Sequence, residues 1–120
     1  MNLLALSILC VIVLLLFLFF RNLLLIGKVK KLLSGGARVI DVRSEPEFRN
    51  GHFSTAKNIP VEQIAQRLDE VSDDKNAPVI LYCYGGSRSA MAAGILKQNG
   101  FTRVTNARSY GLMQRFDAEK

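Results

Sequence analysis

The sequence predicts an α/β domain, a parallel sheet covered by helices on both faces, preceded by one membrane-spanning helix. Three observations carry this. Short β-branched runs alternate with helical patterns across the second two thirds of the chain. A cysteine loop, Cys83-Tyr84-Gly85-Gly86-Ser87-Arg88-Ser89, joins one such run to a helical pattern. Leu3 to Phe20 contains no charged residue, proline or glycine.

That apolar run spans roughly 27 Å as a helix, close to the hydrocarbon thickness of a bilayer. Leu23 to Ile26 can extend it, with Arg21 snorkelling toward the headgroups. A cleavable signal fits less well, because no basic residue precedes the run and no small-residue cleavage pattern follows it. Residues 1–27 are therefore read as a signal-anchor and 28–120 as the folded domain. Arg21, Lys28, Lys30 and Lys31 follow the run, which places the domain on the cytoplasmic side and the N-terminus outside; a periplasmic domain is the alternative. The chain carries 16 Lys and Arg against 10 Asp and Glu. Those four cations account for most of the excess and leave the rest near balance, so the basic character is juxtamembrane and a nucleic-acid role loses its support. Cys10 in the span and Cys83 lie too far apart in the predicted elements for a disulfide, which agrees with a reducing compartment. One histidine and one cysteine outside the span cannot close a zinc site, and no metal or organic cofactor is expected.

Lys28 to Ser34 reads as a short helix ended by Gly35-Gly36, a hinge off the membrane. Val39 to Val42 is a strand. Ser44-Glu45-Pro46-Glu47 matches a capping box that opens a short helix ending at Gly51. Val61, Ile64, Ala65, Leu68 and Val71 fall at helical spacing, predicting one amphipathic helix over 61–71. Ser72 to Ala77 is a polar loop before the strand at Pro78 to Tyr82. Ser89 to Asn99 is a helix, with Ser87 as its N-cap and Gly100 at its left-handed end. Arg103 to Thr105 is a further short strand. Ligands of such sheets bind beyond the carboxyl ends of the strands, where Cys83 lies.

The chemistry points to the same place. Two glycines allow successive N–H groups to face one concavity, and the helix N-terminus adds partial positive charge. An anion would be held there, the Cys83 thiolate included, with Arg88 adding a full charge nearby. A buried structural cysteine beside a tight turn is the competing reading. Asp41 and Arg43 read as a structural charge-assisted network, His52 as a loop hydrogen-bonder, Tyr84 as a gate or a shield of the sheet edge, and Arg108 and Arg115 as solvated.

Taken in order, Asp41-Val42-Arg43, Glu47-Phe48, Gly51-His52-Phe53, Ala56, Asn58-Ile59-Pro60 and the cysteine loop resemble the single-domain rhodanese pattern over about residues 32–116. The resemblance implies a small α/β rhodanese fold and a sulfurtransferase whose sole redox-active residue, Cys83, carries sulfane sulfur as a persulfide. Tyr84, Gly85, Gly86, Ser87 and Arg88 would form the substrate cradle, with Asp41, Arg43 and Ser89 as structural support. The implied partners are a small-molecule sulfur donor such as thiosulfate and a thiol or cyanide-like acceptor, a sulfur-accepting protein among them. The membrane is contacted through residues 3–26. Related phosphatases and arsenate reductases have a loop one residue longer, and their arginine follows the cysteine by six positions where Arg88 follows by five. A membrane-tethered binding module without turnover is the second reading, and a small phosphatase or arsenate reductase, which the loop length disfavours, is the third. The chain departs from the pattern at Thr55, at Ser109-Tyr110-Gly111 and at Phe116, where glycine, a glycine pair and tryptophan are usual.

Overall fold

The computed structural model describes residues 2–118. In chain order the elements are α1 (Leu3–Ser34), β1 (Arg38–Asp41), α2 (Glu45–Arg49), β2 (Lys57–Asn58), a 3-10 helix (Val61–Gln66), α3 (Leu68–Val71), β3 (Val79–Cys83), α4 (Ser87–Gln98), β4 (Val104–Ser109) and α5 (Tyr110–Ala118). The four strands form one sheet in the order β2-β1-β3-β4, and every pairing is parallel.

Side-chain alternation along the strands divides the core into two layers. Ile40, Val79, Leu81 and Cys83 face one side, with Ile64, Val71, Ala92 and Leu96 from the helices that cover it. Val39, Ile80 and Tyr82 face the other, against Val29 of α1 and Leu112, Met113 and Phe116 of α5. All five residues of β3 are buried, which a central strand covered on both faces requires.

The largest difference from the sequence reading lies in α1. The predicted membrane run and the predicted short helix at 28–34 are one uninterrupted 32-residue helix. Its last turns are part of the domain: Val29 is fully buried, and Leu25, Ile26, Leu32 and Leu33 pack around it on the second core layer. These positions fall at helical spacing on one face, so docking holds the last turns of the helix along the domain. Gly35-Gly36 is the turn that reverses the chain into β1, Gly36 taking φ +83°, and no hinge separates α1 from the sheet. Leu25 and Ile26, read as an extension of the lipid-facing run, instead pack on protein. The 18-residue apolar window within α1 has mean hydropathy 3.3 and none of it is buried. By length and composition α1 is the one described helix that could cross a membrane.

Three smaller differences have local causes. The helix predicted over 61–71 breaks at Arg67 (φ −128°, ψ 33°), whose guanidinium holds Glu70 at 2.6 and 2.8 Å and Gln63 at 2.8 Å. The last strand runs to Ser109, and the segment after it is a helix that packs Leu112, Met113 and Phe116. The N-cap of α4 is Gly86 rather than Ser87, which is the first helical residue. The capping box is present as predicted, with Ser44 accepting from the Glu47 N–H and Glu47 accepting from the Ser44 N–H.

Candidate active site

β3 delivers Cys83 to the carboxyl end of the sheet, and the chain turns at once into α4. Gly86 makes that turn at φ +113°, a conformation that L side chains rarely adopt. A Cβ there would also stand 3.3 Å from Cβ of Arg108. Through this turn the Gly86 N–H donates to Cys83 Sγ at 2.9 Å. No side chain caps α4, and the sulfur takes the place that a capping oxygen would hold.

Ser89, assigned to structural support from the sequence, stands closer to the sulfur than expected. Its hydroxyl lies 3.4 Å from Cys83 Sγ and 3.1 Å from the Gly86 carbonyl oxygen, to which it donates. Its single proton cannot serve both neighbours. Ionisation of the thiol therefore draws the hydroxyl proton from the carbonyl toward the sulfur. Burial pushes the Cys83 thiol up, but the Ser89 hydroxyl and the amides of Ser89, Gly86 and Gly85 outweigh it and hold the thiol below its ordinary value.

The side chain of Arg88 bonds to a carboxylate rather than to the sulfur. Its guanidinium is bidentate on Glu47, at 2.7 and 3.1 Å, and is only in electrostatic reach of Cys83. The hydrogen bond from Arg88, against some burial and aided by Ser44, brings the Glu47 carboxyl down to about 2. The capping-box glutamate thus clamps α2 to the cysteine loop, a pairing across 41 residues of sequence.

Asp41 and Arg43 form a buried ion pair. Arg43 Nη2 meets Asp41 Oδ2 at 2.6 Å and its Nε lies 2.9 Å from Oδ1. The remaining capacity of Nη2 goes to the Gly51 carbonyl at 2.8 Å, and the guanidinium lies 4.5 Å from the Tyr110 ring centroid. Both residues are buried, and removing one partner of such a pair strands the other at about 3–5 kcal/mol. Asn58, quoted in the sequence pattern without a role, donates to the carbonyls of Asp41 and Arg43 and closes this loop onto β2. The Tyr82 hydroxyl, one residue before the nucleophile, accepts the Phe53 N–H at 3.0 Å, and burial keeps it a neutral phenol. His52 stacks on Phe48 and contacts its carbonyl through Nδ1, as a loop hydrogen-bonder does.

Tyr84 is 74 % exposed at the start of the cysteine loop. Gly85 has open space where a side chain would begin. Arg108, read as merely solvated, takes φ +72° where the β3–β4 register shifts between Leu81 and Tyr82. Its N–H donates to Asn106 Oδ1 at 2.8 Å, and its side-chain stem packs beside Gly86. Neither Asn106 nor Arg108 carries a sequence signal for this, because a bulge depends on the partner strand. A cavity of about 500 Å³ lies away from the cysteine loop, among Lys30, Leu33, Phe53 and Phe116. The candidate site is a cradle for one sulfur-sized anion at the N-terminus of a helix.

Residues 25–109 match the family described as the rhodanese-like domain. The chain is 47% identical over 70 residues to the uncharacterized protein YqhL of Bacillus subtilis, a match covering 58% of this chain and 54% of that one. It is 38% identical over 68 residues to the thiosulfate sulfurtransferase PspE of Escherichia coli, covering 57% of this chain and 65% of that one. The matched stretch thus falls short of two thirds of either relative's length. Among solved structures, a rhodanese with anions from E. coli superposes with a TM-score of 0.60 at 35% identity, covering 62% of this chain and 88% of that one. The human single-domain sulfurtransferase TSTD1 shares the fold, with a TM-score of 0.62 at 24% identity over 78% of this chain and 93% of that one.

Proposed function

The chain belongs to the rhodanese-like domain family, and on that premise we propose that it is a membrane-anchored sulfurtransferase working through a persulfide on Cys83. The observation that carries the reading is the Cys83 sulfur itself, set at the start of α4 with the Gly86 N–H at 2.9 Å and the Ser89 hydroxyl at 3.4 Å, and with no basic side chain of the described residues hydrogen-bonded to it. A thiolate so prepared needs no separate general base.

The Cys83 thiolate attacks the outer sulfur of thiosulfate or a similar donor. A bond from Sγ to that sulfur forms, the bond to the sulfonyl sulfur breaks, and sulfite leaves with the electron pair. An acceptor thiolate or cyanide then attacks the outer sulfur of the persulfide and returns the Cys83 thiolate. The amides of Gly85, Gly86 and Ser89 meet the anion at each stage. Arg88, held by Glu47, adds its field and keeps the loop closed. PspE, one of the relatives, carries the name of a thiosulfate sulfurtransferase, which supports thiosulfate as the donor. Residues 3–20 serve as the anchor, while the docked turns of α1 that carry Leu25, Ile26 and Val29 belong with the catalytic domain, which lies on the cytoplasmic side by the distribution of Arg21, Lys28, Lys30 and Lys31.

The test is thiocyanate formation from thiosulfate and cyanide by the detergent-solubilised full chain, beside the same chain carrying Cys83→Ala. Turnover is expected for the first and none for the second; equal rates would remove Cys83 from the reaction. One observation favours a tethered binding module, namely that Cys83 is only 1% exposed. A module of that kind would gain no sulfur on Cys83 when intact mass is measured after thiosulfate treatment.

A further inference from the structure

The direction of α1 relative to the sheet decides which end of the domain meets the membrane. The chain leaves α1 at Ser34, reverses at Gly35-Gly36 and enters β1 at Arg38, so α1 runs against the four parallel strands. Two crevices fix its register along β4. Lys28 and Leu32 of α1 line one with Thr102 to Thr105, at the start of β4. Asn22 lines another, of about 290 Å³, with Ser109, Gly111, Leu112 and Arg115, at the end of β4. Ser109 is the direct strand partner of Cys83.

The apolar run therefore leaves the domain at its catalytic end. Phe20, the last residue of that run, precedes Asn22 by two positions, about 3 Å along a helix axis. Asn22 continues the face of Leu25, Ile26 and Val29 toward the site, three residues before Leu25. The same end of the domain presents an interfacial composition. Tyr84 projects from the cysteine loop, 74% exposed, and Arg108 and Arg115 are exposed. Among the described residues neither arginine makes an ion pair, whereas Arg43, Arg49 and Arg88 of that end are each paired with a carboxylate. Exposed tyrosine and unpaired cations beside an apolar helix suit an anionic lipid surface.

We propose that the Cys83 loop faces the surface of the bilayer that holds α1, and that the acceptor of its sulfur is a membrane-borne, amphipathic thiol. This rests on the anchor and persulfide readings above. The acceptor thiolate attacks the outer sulfur of the Cys83 persulfide; its new S–S bond forms as the bond to Sγ breaks, and the Cys83 thiolate leaves with the electron pair. No oxidant or reductant enters. A water-borne substrate would need no such placement, since the opposite end of the sheet is held farther from the lipid by the length of α1 between Asn22 and Ser34.

The chain has no tryptophan, so introduced indoles report unambiguously. Full-length Tyr84→Trp and Asp73→Trp, the latter in the exposed turn before β3, are reconstituted in phosphatidylcholine and phosphatidylglycerol vesicles containing headgroup spin-labelled lipid. Several-fold stronger quenching of Tyr84→Trp is expected. Equal quenching, or the reverse, overturns the orientation whether or not sulfur transfer occurs. Failure of either chain to float with the vesicles overturns the anchor and this inference together. In the same vesicles, persulfidated wild-type chain should lose sulfur several-fold faster to a long-chain alkyl thiol than to 2-mercaptoethanol. Equal rates overturn the membrane-borne acceptor.

Discussion

Ser89 bears on how reactive Cys83 is, because among the described residues it supplies the one side-chain hydrogen bond that favours the thiolate, beside the amides of Ser89, Gly86 and Gly85. In Ser89→Ala the desolvation of the thiol persists while that donor is lost, so the thiol pKa rises. Wherever the pKa stands above the working pH, each unit of rise cuts the thiolate fraction about tenfold. The alkylation rate of Cys83 by iodoacetamide should fall about three- to tenfold at pH 7, with its pH midpoint displaced upward. Ser89→Thr, which keeps the hydroxyl, should restore both. An unmoved midpoint in the alanine variant would leave the amides as the whole cause. The cysteine and its glycines were legible in the sequence, because a strand-to-helix turn needs permissive backbone at fixed offsets. The rank of Ser89 over Arg88 was not, since both lie one turn into the helix and only their directions separate them.

At the scale of elements, α2 and the cysteine loop are joined by Glu47 and Arg88. Glu47 titrates at about 2 in the folded chain against an ordinary 4.5, and a carboxyl lowered on folding stabilises the fold above its unfolded value. The contribution is complete above pH 4.5 and is lost as the pH falls toward 2. Glu47→Gln should therefore flatten the acid limb of the thermal midpoint against pH within that window; an unchanged limb would show the pair to be inert. At neutral pH the same variant frees Arg88, and a looser cradle should appear as slower alkylation of Cys83. Capping box and cysteine loop could each be read locally, from residues within one turn of one another. Their contact across 41 positions required the sheet to bring the ends of β1 and β3 side by side. The 3-10 turn at Val61–Gln66 escaped the sequence for a local reason. Apolar spacing over 61–71 fits a helix, but the bonds of Arg67 to Glu70 and Gln63 accompany a break that periodicity cannot register.

Across the whole molecule, α1 is both candidate anchor and core element. Val29 is fully enclosed, and Leu25 and Ile26 pack against the same cluster. A soluble fragment beginning at Lys28 lacks those two half-buried side chains, and it should be less stable than one beginning at Asn22 by about 2 kcal/mol. Urea denaturation of the two fragments measures this, and coincident midpoints would mean that the helix docks without contributing. A helix held along several turns also leaves the domain little freedom to swing beneath a membrane, which is why the direction of α1 carries consequences for the site.

Local chemistry was determined by the sequence alone. The parallel α/β class, the two-sided burial of β3, the capping box, the thiol at a helix N-terminus and the long apolar run all follow from residues near one another in the chain, where sterics, hydrogen-bond geometry and side-chain period act directly. Tertiary structure decided the rest: that Arg88 belongs to Glu47, that Arg108 bends back beside Gly86, and that α1 continues unbroken into the core with Asn22 beside Ser109. Each of these joins residues distant in sequence, and such contacts form only when the packing of two faces of a sheet has fixed the elements in space.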